Sequence, residues 1–258
     1  VIGTSHQQQQ LPCQDYGGDR ILHDVIMGAV ADGAGSAQHA DVGAQLAVKT
    51  ALRTLASTEE WLLQQHCSWE SLSKPLTQQQ ATKLFTTTVN KVVAAFQHQA
   101  GSHGYAVKEL SCTLLSFIAT PHWMAAMQIG DGFMVVRSEG PHYRLLFKPD
   151  KGEFANQTTF VTSADALQAM QVRVLSLSGQ QNFICAATDA LENVAIHLKD
   201  WMPGQGFFRP LEQYLQETPD PVQDDHYLVD FLKSEQLNRK TDDDKTLLLC
   251  LYSAQVHT

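Results

Sequence analysis

Apolar residues along this chain follow two patterns. Short continuous apolar runs bounded by turn formers predict strands buried on both faces, and they occur over 25–31, 112–119, 123–129, 133–137, 143–147, 172–177, 182–187 and 247–252. Three- and four-residue spacing predicts helices. Ala44, Ala47, Val48, Ala51 and Leu55 share one face of a helix opening near Asp41, and Phe85, Val89, Val92, Val93 and Phe96 share a face of another that Gly101 closes. Further helices are predicted over 61–71, just after 190, and near 225–237. Residues 3–20 are polar and rich in turn formers, and the run Gln7 to Gln10 reads as an exposed loop. Two other stretches read as irregular, a surface flap over 148–172 and a connection over 203–210 bearing Pro203 and Pro210. Strands cluster in the first and last thirds with long helices between, which is not the regular alternation of a parallel α/β fold. A largely antiparallel α+β arrangement with helices covering the sheets is expected.

Composition narrows this only a little. A length of 258 residues with 43% hydrophobic and 17% charged content suits one soluble globular domain over 1–258. The net charge of −9 disfavours nucleic acid and acidic membranes as partners, since phosphate backbones are bound by clustered Lys and Arg. Cys13, Cys67, Cys112, Cys185 and Cys250 form no C-x-x-C pair, so neither a zinc site nor a disulfide framework is expected. With no basic-then-apolar opening and no apolar run of spanning length, the expected location is cytoplasmic.

Candidate chemistry sits at the strand ends. Asp32, Asp131 and Asp189 each come directly after a buried-strand pattern or one residue beyond it, and Asp243 and Asp244 stand just before the last one. An Asp-Gly pair after a strand is also an ordinary turn, so each occurrence means little singly. The ordered set means more, because hard divalent cations take oxygen ligands from a few carboxylates. Two such ions can generate a nucleophile from water and clamp a phosphoryl group. The glycines of Gly33-Ala34-Gly35 also admit a nucleotide-binding reading. The dinucleotide fingerprint, however, needs a third glycine where Gln38 stands, and no βαβ context surrounds it.

The ordered segments C-Q-D-Y (13–16), V-A-D-G-A-G-S-A-Q-H-A-D (30–41), S-C-T (111–113), I-G-D-G (129–132), A-T-D-A (187–190) and D-D-K-T (243–246) resemble the metal-dependent protein serine/threonine phosphatases of type 2C, the PPM family. Ser5, His6, Pro12, Cys13, Gln14 and Asp15 match the opening motif of a compact bacterial branch. The resemblance implies a four-layer α-β-β-α sandwich of two largely antiparallel sheets, with a binuclear Mn²⁺ or Mg²⁺ centre at one sheet edge. Carried over by position, Asp32 bridges both ions, the Gly33 carbonyl binds one, and Asp189 and Asp243 complete the other, with Asp244 as the fallback for Asp243. Asp15 acts through metal-bound water, and Asp131 helps hold a third ion. On this reading Asp32 and Asp15 are the catalytic pair. The shared hydroxide attacks the phosphomonoester directly, without a phosphoenzyme intermediate. The implied substrate is a phosphorylated Ser/Thr protein, supplied by a cognate kinase.

Three departures stand against that pattern. The position of the family's phosphate-gripping Arg is Gln10, the position of its His after the D-G pair is Ala34, and S-D-G has become Thr188-Asp189-Ala190. His6 is the candidate to contact the substrate phosphate in the missing Arg's place, against the plainer reading of a solvated loop histidine. Glu153, in the flap, is a weaker candidate. The departures also admit a rival: a catalytically weak or inactive module of the same fold that binds a partner. Asp32, Asp189 and Asp243 together argue for catalysis, since a pure scaffold has no need of mutually repelling carboxylates.

Overall fold

The central strands read as continuous apolar runs because each of their two faces meets a different layer. The computed structural model describes residues 1–64, 74–148, 158–177, 181–221, 223 and 225–253. In chain order the elements are helix α1 (Thr4–Gln9), strands β1 (Tyr16–Leu22) and β2 (Val25–Ala31), and helices α2 (Ala40–Gln64) and α3 (Gln78–His103). Strands β3 (Leu114–Ala119), β4 (Trp123–Ile129), β5 (Phe133–Arg137) and β6 (Arg144–Leu145) follow, then α4 (Ala166–Ala169), β7 (Gln171–Ser176) and β8 (Gln181–Ala187). The chain goes on through α5 (Glu192–Ala195), β9 (Ile196–His197), β10 (Met202–Pro203), α6 (Gln205–Glu217), α7 (His226–Lys233) and α8 (Glu235–Asn238) to β11 (Leu247–Ser253).

Two antiparallel sheets dominate, one in the order β1-β2-β3-β4-β7 and the other in the order β11-β8-β5-β6. Side chains alternate across a strand, so each strand divides between two cores. Leu115, Phe117 and Ala119 of β3 meet Met134 and Val136 of β5 and Ile184 and Ala186 of β8 between the sheets. Leu114 and Ile118 of β3 face outward under Val48 and Leu55 of α2 and Phe85, Val92 and Phe96 of α3. Phe133 and Val135 of β5, with Phe183 and Cys185 of β8, pack against Phe208 of α6, Leu232 of α7 and Leu237 of α8. The layers therefore run helix, sheet, sheet, helix. Glu212 on α6 ties the last layer down, accepting from the Arg137 guanidinium and from the Tyr143 hydroxyl at 2.6 Å.

Strands 25–31, 123–129 and 133–137 lie where the apolar runs put them. Elsewhere the structure corrects the reading. Residues 3–20 are not a loop throughout. They form α1, which buries none of its residues, and the edge strand β1, whose exposed positions are Asp19, Arg20 and Ile21 and whose far side no strand pairs with among the described residues. Helix α3 runs past Gly101 to His103 and ends at Gly104. The segment 143–147 contributes only the short β6, and Pro210 lies inside α6 rather than in a connection. The helix expected near 225–237 is two, α7 and α8, broken at Ser234. Helix α2 takes in residues 61–64; the rest of the helix expected over 61–71 and the flap residue Glu153 lie outside the described residues. No described helix is long and apolar enough to cross a membrane.

Candidate metal centre

Antiparallel register brings the acidic positions to one end of the sandwich. Ala31, the last residue of β2, pairs with Tyr16, the first of β1, so Asp32 and Asp15 emerge together. Strand β4 runs alongside β2 with β3 between them, so Asp131 leaves at the same end. In the second sheet Ala187, at the end of β8, pairs with both Phe133 and Leu247, which sets Asp189 beside the start of β5 and of β11. Carboxylate oxygens of Asp32, Asp131 and Asp189 lie within 4.8 Å of one another. These three, together with Asp243, Gly33 and His6, line a cavity of about 320 Å³.

Local structure holds each group in place. The Asp32 amide donates to Thr113 Oγ1 at 2.9 Å, and the Thr113 amide returns a bond to the Asp32 carbonyl at 2.8 Å. Gly33 packs so tightly that a Cβ there would lie 2.7 Å from the Gln14 carbonyl oxygen and 2.8 Å from Ala40 Cβ, which leaves glycine as the residue that fits. Asp131 sits in a turn that Gln128 clamps, its side-chain amide donating to the carbonyls of Gly130 at 3.0 Å and Gly132 at 2.8 Å. Gly130 has φ +101°, a conformation L side chains rarely adopt, and a Cβ there would meet Thr113 Cγ2 at 2.5 Å. Thr158 Oγ1 donates to Asp131 Oδ2 at 2.6 Å. Asp15 stands behind Asp32 rather than on the cavity wall. Its Oδ2 accepts from Thr188 Oγ1 at 2.7 Å, and that hydroxyl also accepts from the Thr246 amide at 3.0 Å.

The two neighbouring aspartates of D-D-K-T part company. Asp243 faces the cavity. Asp244 is 2% exposed and fully engaged: Oδ1 accepts from the Gly3 amide at 2.6 Å, and Oδ2 meets the Gln14 amide at 2.5 Å and His6 Nδ1 at 2.8 Å. Lys245 is buried next to them, and its Nζ donates to the Asp243 carbonyl at 2.9 Å. His6 lies against the cavity, whereas Gln10 is exposed at the left-handed end of α1 and does not line it. Of the surface histidines, His39 faces Glu109 at 3.8 Å and packs at a tilt against the Tyr105 ring.

Electrostatics follow from that crowding. Burial, reinforced by the charges of Asp15, Asp189, Asp243 and Asp131, holds the Asp32 carboxyl well above the ordinary carboxylate range. Burial pushes Asp15 up to about 7, with the Asp244 charge adding to it and the hydrogen bonds from Thr188 and Asp32 partly offsetting it. Asp189 is pushed up to about 6 by burial and then by Asp131 and Asp243. Burial would raise Asp244 too, but donation from Gly3, Gln14 and His6 outweighs it and keeps that carboxyl below its usual value. The donor set is carboxylate oxygen throughout, the chemistry of a hard divalent cation. Gln14 Oε1, at the cavity wall, is buried without a partner among the described residues and wants a donor such as a cation's hydration water. The residues fit Mg²⁺ or Mn²⁺.

Sequence reasoning found the carboxylates, missed the supports Thr113, Gln128, Thr158 and Thr188, and read Asp244 only as a fallback ligand. Gln128 alone carries a visible signal, a polar side chain inside an otherwise apolar strand. The chain's likenesses agree with this geometry. It is 34% identical over 262 residues to "Serine/threonine-protein phosphatase 3" of Escherichia coli (strain K12), covering 98% of this chain and 96% of that protein. Among solved structures it shares the fold of the Streptococcus agalactiae serine/threonine phosphatase (TM-score 0.61, 13% identity, 98% of this chain and 96% of that one). It likewise resembles the serine/threonine phosphatase Stp1 of Staphylococcus aureus (TM-score 0.57, 13% identity, 92% and 88%). The family model described as Protein phosphatase 2C matches residues 2–233. With nearly the whole chain matched, a four-layer sandwich and an oxygen-rich acidic cavity at its edge, the chain belongs to the protein phosphatase 2C family and is a protein phosphatase by that membership.

Proposed function

We propose that this chain removes phosphate from phosphoserine and phosphothreonine of a protein substrate, using divalent cations held by Asp32, Asp189, Asp243 and the Gly33 carbonyl, with Asp131 serving a further ion. The observation that carries the reading is the gathering of Asp32, Asp131 and Asp189 within 4.8 Å, a cluster that only protons or cations make tolerable. Bound there, Mn²⁺ or Mg²⁺ supplies Lewis acidity toward the phosphoryl oxygens and makes water acidic enough to act as a nucleophile near neutral pH. Asp32 takes the central place because its backbone is fixed on both sides by Thr113 and its carboxyl is the most crowded. Asp15 orients Asp32 from behind and does not reach the cavity itself, while Thr188 fixes Asp15. Asp243, not Asp244, completes the set, since both oxygens of Asp244 are already occupied.

Attack by water directly on phosphorus suits this cavity better than transfer to a thiol. Among the described residues no cysteine lines it, and burial pushes the nearby Cys13 thiol up to about 11. The substrate is the product of a kinase that phosphorylates Ser or Thr. The rival reading, a non-catalytic module, draws no support from a cavity that keeps its carboxylates converged. Hydrolysis of a phosphothreonine peptide tests the proposal. Phosphate release that requires Mn²⁺ or Mg²⁺ and stops with chelator is the expected result; no release with either cation would overturn it.

A further inference from the structure

Alkyl phosphate hydrolysis has a second requirement besides the nucleophile. A seryl or threonyl oxygen leaves as a strongly basic alkoxide unless a proton reaches it as the bond breaks. Asp32, Asp131, Asp189, Asp242 and Asp243 line the cavity, with no Arg or Lys on its wall among the described residues. Carboxylates bound to cations are ionised and have no proton to give. The Thr158 hydroxyl is committed to Asp131, and neither a hydroxyl nor the Gln14 amide is acidic enough near neutral pH. His6 remains, the one imidazole on the wall among the described residues, and imidazole is the side chain type suited to passing a proton near neutral pH.

The surroundings of His6 match that task. Its Nδ1 lies 2.8 Å from Asp244 Oδ2, and the Asp244 carboxylate is itself immobilised by the amides of Gly3 and Gln14. That carboxylate fixes the ring and leaves Nε2, on the opposite side of the ring, with no protein partner among the described residues. Asp244 lies outside the proposed ligand set, so its bond to His6 survives metal loading.

We propose that His6, oriented by Asp244, is the catalytic acid that protonates the leaving seryl or threonyl oxygen, an assignment that rests on the phosphatase reading above. The attacking water releases one proton to solvent as its oxygen forms the new bond to phosphorus, and the bond from phosphorus to the side-chain oxygen breaks with its electron pair going to that oxygen. The oxygen takes the Nε2 proton. His6 is left neutral, still donating from Nδ1 to Asp244, and regains a proton from solvent. Asp244 is a positioning residue here and touches no substrate.

The test compares leaving groups. Turnover of a phosphothreonine peptide and of p-nitrophenyl phosphate is measured with Mn²⁺ for the wild type and for His6→Asn. The nitrophenolate leaves without a proton, so the variant should lose about 10²- to 10⁴-fold on the peptide and less than about tenfold on the aryl ester. The ratio of the two rates does not depend on how much of the variant is folded. Imidazole added to His6→Gly should restore peptide turnover and leave aryl turnover unchanged. Equal losses on both substrates, or an undiminished rate on the peptide, would overturn the assignment. A wild type that hydrolyses neither substrate would overturn the phosphatase reading itself.

Discussion

Asp243 and Asp244 are chain neighbours with opposite surroundings, and the difference between them organises the whole acidic corner. Asp243 lies at a bend just before β11, and the two side chains part there, one facing the cavity and the other the N-terminal segment. Asp244 is the knot of that segment, bonding Gly3, His6 and Gln14, while the Val1 and Lys245 backbones pair beside it. Replacing it with Ala strands buried donors, and Asp244→Ala is expected to cost about 3 kcal/mol of unfolding free energy in urea. Asp243→Ala should leave urea stability in chelator near or above that of the wild type, because it relieves repulsion, and should weaken Mn²⁺ binding instead. The spacing D-x-x-T pointed to Asp243 but left Asp244 open, since sequence shows which residues are acidic and not which way they face. The supports Thr113 and Thr188 were illegible for a similar reason. A threonine beside a buried strand reads as ordinary β-former until its partner is known.

Elements buried on both faces were the most legible. β2, β4 and β5 match the apolar runs to the residue because burial on two faces removes the polar positions that blur other strand ends. β1 escaped notice since only its pairing with β2 defines it, and Gly17, Gly18, Asp19 and Arg20 carry no strand signal of their own. Pro210 reads as a breaker, yet α6 continues through it because Phe208 and Leu211 on either side are buried in the outer core. Helix α3 opens on a full capping box, Thr77 accepting from the Gln80 amide at 3.2 Å and Gln80 reaching back to the Thr77 amide at 2.9 Å. Thr77→Ala should lower stability by about 1 kcal/mol. Because α3 covers the face of the first sheet away from the cavity's partner sheet, turnover per folded molecule should not change, and parallel urea and rate measurements check both statements.

At the scale of the whole molecule, antiparallel pairing makes one edge the meeting point of Asp15, Asp32, Asp131, Asp189 and Asp243, which lie far apart in sequence. That edge carries a pH dependence with a definite sign. Asp15, raised by burial to about 7, and Asp189, raised likewise to about 6, bind more protons folded than unfolded. Their contribution to stability is complete below about pH 4 and is lost as pH rises through 6 to 7. Asp244, depressed by its donors, acts oppositely but only below about pH 4. The metal-free protein should therefore melt at a lower temperature at pH 8 than at pH 5.5. Mn²⁺ should reverse that order, since it displaces protons and stabilises the state that binds it. Thermal melts with chelator and with Mn²⁺ at the two pH values decide the matter, and a chelated protein that melts higher at pH 8 would contradict the argument. The most direct test of the central claim, that this acidic edge is a metal centre built on Asp32, is a calorimetric Mn²⁺ titration of the wild type and of Asp32→Asn. Saturable binding with proton release by the wild type, weakened more than about tenfold in the variant, is the result the geometry predicts. Equal binding by the two proteins, or none by the wild type, would contradict it.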